Sequence, residues 1–198
     1  MLTIHAFVVS FDEGHTFHLV NNTVTIMTSL ESKGKALKSY LSQGEKFSVV
    51  QAFQIIKQVL FAVKEVHEAG FLHLDIQDGN VFIKGSLSEE DNLVSLVDFG
   101  AARPVCEDGL CPVIRDRALF STIGFESPEI VGHNDGTLRL GAEADLYSVG
   151  YLLLLMLTGK RYTQRELDSA NIGLYLSKRK LKKLNCPAHM ADKVHQII

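Results

Sequence analysis

The chain has 198 residues and 46% hydrophobic composition, enough for one domain with a substantial core. Charged residues make up 22% and the net charge is −3, which excludes a disordered or collagen-like chain and gives no electrostatic case for nucleic acid. The three cysteines, Cys106, Cys111 and Cys186, are an odd, sparse set that suits a reducing compartment rather than a disulfide scaffold.

Met1–Phe11 lacks the basic start and small-residue cleavage pattern of a secretory signal. It is rich in Val, Phe and Ile and predicts a strand over Ile4–Phe11, with a turn at Asp12–Gly14. A second turn signal at Asn21–Asn22 precedes another strand-like run, Thr23–Thr28. Ala36–Leu41 suits a short helix. Ser48 followed by Gln51 has the spacing of a capping box. Val49, Phe53, Ile56, Leu60 and Val63 then recur at helical spacing, predicting one apolar face and a helix that ends near Gly70. Val81–Ile83 and Val94–Val97, joined by an acidic connection, predict a hairpin. The stretch from Asp98 to about Ile130 carries repeated Gly and Pro and is expected to be a long irregular segment, a length uncommon without a functional reason. Asp145 is expected to open a second helix whose body, Val149–Leu157, is apolar all round and so buried on every side. The longest apolar run, Tyr151–Leu157, is far short of the roughly 20 residues that span a bilayer. A cytoplasmic protein with no membrane or nucleic-acid partner is the expectation.

The chemistry concentrates around the hairpin. His73-Leu74-Asp75 and Asn80 precede its first strand, and Asp98-Phe99-Gly100 follows its second, so pairing of the strands brings Asn80 and Asp98 together. Two converging oxygen ligands suit Mg²⁺ with substrate phosphates. Asp75 nearby can orient a hydroxyl and accept its proton. Phosphoryl transfer needs little more than such positioning and charge neutralisation.

His-x-Asp-x-x-x-x-Asn, then Asp-Phe-Gly, Ser-Pro-Glu and Asp-Leu-Tyr-Ser-Val-Gly, in that order, resembles the protein kinase superfamily, eukaryotic-like serine/threonine type. The resemblance implies an α+β, protein-kinase-like fold: a mostly helical large lobe with a truncated small-lobe sheet. Residues 1–32 would be the back of the small lobe, with a hinge near Thr28–Ser32, and residues 33–198 a large lobe incomplete at its C-terminus. It implies Asp75 as catalytic base, Asn80 and Asp98 as holders of Mg²⁺ on ATP, and His73 as a structural residue packed near Phe99 and Gly100. Thr122 would help hold the base, and Glu129 would be the glutamate closing an activation segment that starts at Asp98. Asp145 would hold the backbone of the catalytic loop. The substrate would be a protein.

The departures matter as much. Leu74 stands where the family has an arginine that receives an activation-segment phosphate. Gln77 stands where a lysine neutralises the transferring phosphate, keeping a donor and losing the charge. Phe125 replaces a commoner tyrosine, and Ser127 an alanine. No Gly-x-Gly-x-x-Gly occurs, and no lysine precedes Lys33. An incomplete kinase domain is therefore expected, with three activities open: a protein kinase, a catalytically impaired pseudokinase serving as a binding module, or a small-molecule phosphotransferase of the aminoglycoside or choline type. A partner covering the open nucleotide cleft is a further expectation.

Some features read blandly. Cys106 and Cys111 could bridge a loop or share a metal, but no second ligand pair lies at zinc-like spacing, so free thiols are expected. Lys178–Lys183 holds five basic residues in six and suits a solvated helix face. Ser121 and Thr122 are candidate phosphosites, weakened by Leu74.

Overall fold

The computed structural model describes the backbone of Thr3–His5, Thr16–Val20 and Thr23–Met27, and then residues 34–85, 93–114, 124–131 and 137–169. The three N-terminal strands β1 (Thr3–His5), β2 (Thr16–Val20) and β3 (Thr23–Met27) form one sheet in the order β1-β3-β2. β2 and β3 are antiparallel, with Val20 opposite Thr23; the expected Asn21–Asn22 turn lies outside the described residues. β1 runs parallel to β3. The sequence suggested two strands here rather than three, and placed the first over Ile4–Phe11, most of which lies outside the described residues.

β4 (Lys35–Ala36) leads into the short helix α1 (Leu37–Ser42), close to where it was expected. α2 (Val49–Glu68) begins with the full capping box: the Gln51 N–H donates to Ser48 Oγ at 3.2 Å, and the Ser48 N–H to Gln51 Oε1 at 2.9 Å. It ends at Gly70, whose φ of +83° is the left-handed turn that glycine allows most easily. The face of α2 turned to the core is Val49, Ala52, Ile55, Ile56, Val59 and Val63. This corrects the expected stripe, because Phe53 is only half-buried and Leu60 is exposed.

β5 (Phe71–Leu72) follows, then the hairpin of β6 (Val81–Lys84) and β7 (Leu93–Leu96), antiparallel with Val81 opposite Leu96. β4 adds to its other edge, giving the order β4-β6-β7. The segment after Asp98 is less irregular than its sequence suggests. It contains a turn of 3₁₀ helix at Phe99–Ala101, then β8 (Arg103–Pro104), which pairs with β5, and β9 (Cys111–Ile114). β9 pairs antiparallel with β10 (Thr137–Leu140), which lies just ahead of the second long helix. Gly109 and Gly124 fall at turns, but Pro104 and Pro112 lie within strands, and these strands are too short for a sequence period.

The short helix α3 (Pro128–Val131) precedes β10. α4 (Ala142–Thr158) starts three residues before Asp145 and closes on Gly159, with φ of +66°. Its body Val149–Leu157 is buried except at Gly150, which is open to solvent, and the half-buried Leu153; ahead of that body Leu146 is 48% exposed. A cavity of about 530 Å³ separates this side of α4 from α2, lined by Phe53, Leu60, Phe61, Leu146 and Leu153 among others. The two helices are in contact, and Ile55, Val59, Leu152 and Leu155 belong to one apolar core. A second, smaller core holds Leu72, Cys111, Ile130, Leu140 and Ala144, with Leu74, Val105 and Leu138 packed against it. The last described element is α5 (Gln164–Ser169). Among the described residues no helix is long and apolar enough to cross a membrane.

Candidate active site

The loop 73–80 joins β5 to β6, and its shape is imposed from beneath by α4. The Asp145 side chain is about 1% exposed. Its Oδ1 accepts the Leu74 N–H at 2.8 Å, and its Oδ2 accepts the His73 N–H at 2.8 Å. The same Oδ2 takes the ring Nε2 of His67, near the end of α2, at 2.8 Å. These bonds hold Leu74 at φ +60°, a left-handed conformation that costs a side chain other than glycine about 1–2 kcal/mol. The burial of a carboxylate is offset here by donors on every side.

His73 is fully buried, and burial holds its imidazole below the ordinary range, despite nearby Asp145 and Asp75. Its hydrogen bonds suit the neutral ring: Nε2 donates to the Val97 carbonyl at 3.2 Å, and Nδ1 accepts the Asp75 N–H at 3.3 Å. The ring packs on Phe99, 4.6 Å between centroids. His73 thus ties the loop to the residues just before and after Asp98.

Asp75 is the centre of the polar group. Its Oδ1 accepts Gln77 Nε2 at 2.9 Å, and its Oδ2 accepts Asn80 Nδ2 at 2.9 Å. Burial pushes its carboxyl above the usual range; the Asn80 and Gln77 donors pull it down, and the Asp98 charge adds to the rise. Asn80 Nδ2 also donates to the Asp75 carbonyl at 2.9 Å. Both amide hydrogens are therefore turned into the loop, and the amide oxygen is the atom a cation could take.

The Val97 N–H donates to the Asn80 carbonyl at 2.9 Å, which brings the far ends of β6 and β7 together as the hairpin requires. Asp98 follows, exposed, with φ +63°; its Oδ1 accepts the Gly100 N–H at 3.2 Å. Asn80 oxygen and Asp98 carboxylate are hard oxygen donors from adjacent strand ends, a set that fits Mg²⁺ carried with phosphates. A cluster of three or more His, Cys, Asp or Glu side chains able to hold a metal by themselves is absent among the described residues.

Glu129 lies exposed on α3, and the described hydrogen bonds do not join it to the Asp75 group. Thr122, Ser121, Cys186 and Lys178–Lys183 lie outside the described residues. Cys106 and Cys111 are free thiols, Cys106 exposed and Cys111 buried, where burial pushes the thiol up. Two contributors went unread in the sequence. His67 gave no signal because its partner is 78 residues away. Asp78, one residue after Gln77, pairs with Arg161, 83 residues on.

The protein kinase domain family matches residues 2–196, and the chain belongs to that family. The fold is accordingly a protein-kinase-like α+β fold. Probable serine/threonine-protein kinase zyg-1 of Caenorhabditis briggsae is 34% identical over 155 residues, covering 78% of this chain and 20% of that protein. Human death-associated protein kinase 2 is 30% identical over 145 residues, 73% of this chain and 36% of that protein. Probable serine/threonine-protein kinase PknB of Lactococcus lactis is 28% identical over 127 residues, 64% of this chain and 18% of that protein. The chain spans a minor part of the length of each of these relatives.

Proposed function

We propose that this chain serves phosphoryl transfer from ATP to a serine or threonine hydroxyl of a protein in the cytoplasm. The observation that carries the reading is the hydrogen-bonded set of Asp75, Gln77 and Asn80 beside Asp98. Asp75 would orient the attacking hydroxyl and take its proton at the carboxylate. Gln77 holds one Asp75 oxygen and leaves the other to Asn80, so the base has a fixed orientation. Asn80 and Asp98 would hold Mg²⁺ with the nucleotide, and the bound cation would draw charge from the transferring group. Asp145 and His73 keep the loop in the shape these roles need, and the exposed Asp98 carboxylate stands where phosphates can reach it.

A second reading, nucleotide binding without efficient transfer, is favoured by Gln77, which lacks the charge a lysine would supply. Two measurements separate the readings. Mg²⁺-ATP at about 100 times its Kd should raise stability by roughly 2.7 kcal/mol, read as a thermal shift. Labelled phosphate should then pass to a serine/threonine protein substrate, and not to aminoglycosides or choline. A shift without transfer selects the binding module, transfer only to the small molecules selects the third activity, and no shift at millimolar nucleotide rejects the proposal.

A further inference from the structure

Asp78 has no part in the chemistry above, yet it lies within the loop 73–80 and is 1% exposed. Both of its carboxylate oxygens accept from one atom, Arg161 Nη2, at 2.7 and 2.6 Å. Its backbone carbonyl accepts the Lys38 N–H, in the first turn of α1, at 2.8 Å. The Arg161 guanidinium also lies 5.7 Å from the centre of the Phe125 ring. Phe125 belongs to the segment 124–127 that leads into α3. It is fixed on α4 by an edge-on contact with Tyr151, 4.6 Å between centroids, and by its carbonyl, which accepts Ser148 Oγ at 2.7 Å.

The backbone that carries Arg161 is itself anchored. Tyr151 Oη accepts the Tyr162 N–H and donates to the Tyr162 carbonyl, both at 2.8 Å. A guanidinium standing on a fixed backbone thus touches the loop through Asp78 and the segment 124–127 through Phe125. Asp78 is buried while the Arg161 side chain is about half exposed, so the pair contributes little net stability, but it is directional, and removing the guanidinium strands a buried carboxylate.

We propose that Arg161 is a positioning residue for phosphoryl transfer: it is a cationic rivet that sets the loop carrying Asp75 and Asn80 against the segment 124–127. The proposal rests on the reading of Asp75 as the base, but its structural half can be tested without turnover. Hydrogen exchange on the full chain would compare wild type, Arg161→Met, Arg161→Lys, and Arg161→Met combined with Asp78→Asn. In Arg161→Met the amides of Lys38, Asn80 and Ile130 should exchange at least about tenfold faster, while those of Val59 and Val63 in the centre of α2 keep their rates. Arg161→Lys should lie between. Asp78→Asn in the Met background should bring the rates back to within about threefold of wild type, because the stranded charge is gone. Where turnover is measurable, the Met loss should fall on kcat rather than on the KM for nucleotide, and the same second substitution should rescue it. Unchanged rates in Arg161→Met, an equal rise in α2, or no rescue by Asp78→Asn would overturn the rivet. Absence of turnover in the wild type would count against the proposed reaction while the exchange pattern still decided the rivet.

Discussion

The sharpest perturbation of the site is Asp145→Ala. The substitution leaves the N–H groups of His73 and Leu74 without their acceptors, in a region where Asp145 itself is 0% exposed. A buried donor deprived of its partner costs about 1–3 kcal/mol, so two cost about 2–6 kcal/mol together. Leu74 also holds about 1–2 kcal/mol of left-handed strain that these bonds oppose, and releasing it recovers part of the cost. The expected net destabilisation is therefore about 3 kcal/mol. Asp145→Asn keeps one acceptor oxygen and should cost about half as much, which guards against a variant too unstable to measure. Denaturant titration gives the difference from the shift in midpoint at constant slope. Hydrogen exchange should show the His73 and Leu74 amides losing protection in both variants. An Ala variant within about 1 kcal/mol of wild type, with both amides still protected, would refute the claim that α4 holds this loop.

Three further outcomes follow from named contacts. Ser48→Ala removes one half of the capping box and should lower stability by about 1 kcal/mol, read in the same titrations; an unchanged midpoint would show that α2 needs no cap. His73 is held neutral by burial, so its contribution is present above the unfolded-state value near 6.5 and is lost as pH falls through the lowered folded value. His73→Phe should accordingly flatten the loss of stability as pH falls below about 6.5, a single proton accounting for at most about 1.4 kcal/mol per pH unit. An identical slope would place the titration elsewhere. Gly124→Ala should loosen the segment 124–127, since φ is +92° there and a Cβ would meet Tyr151 Oη and, at 2.8 Å, the Tyr162 carbonyl. Faster exchange of the Ile130 amide is the measurement, and an unchanged rate would mean that Tyr151 gives way at no cost.

What the sequence disclosed was local or ordered by motif. The capping box, the Gly70 and Gly159 turns and the β6–β7 hairpin depend on residues a few positions apart, and all are present. The hairpin then places Asn80 and Asp98 at neighbouring strand ends by geometry alone. The face of α2 was misjudged because apolar residues occur on more than one side of it. The helical period fits Phe53 and Leu60 as well as Ala52 and Val59, and burial in the core selects the second pair. Asp145 was expected to open its helix and, from the resemblance, to hold the loop backbone; Gly141 is the N-cap instead, and the Asp145 carboxylate accepts the His73 and Leu74 N–H groups. His67–Asp145 and Asp78–Arg161 join residues 78 and 83 positions apart, which no local pattern can pair.

Leu74 shows how a changed residue alters the physics of the same loop. An arginine there would be a charge awaiting an anion. Leu74 is instead half-buried and packs with Val105 and Leu138 against Leu72, Cys111, Ile130 and Leu140. That small core joins the loop of Asp75 to β9 and β10, whose backbone ladder runs from Cys111 opposite Leu140 to Ile114 opposite Thr137. The Arg139–Asp108 ion pair is about half exposed, where solvent and salt screen it and its contribution is small. The connection between loop and segment is therefore made by apolar contact, which salt does not weaken, and by main-chain pairing. Charge also enters the loop at Asp78–Arg161, where the carboxylate is buried and the guanidinium about half exposed. The loop of Asp75 is thus held by apolar burial on one side and by the Asp78–Arg161 pair on the other.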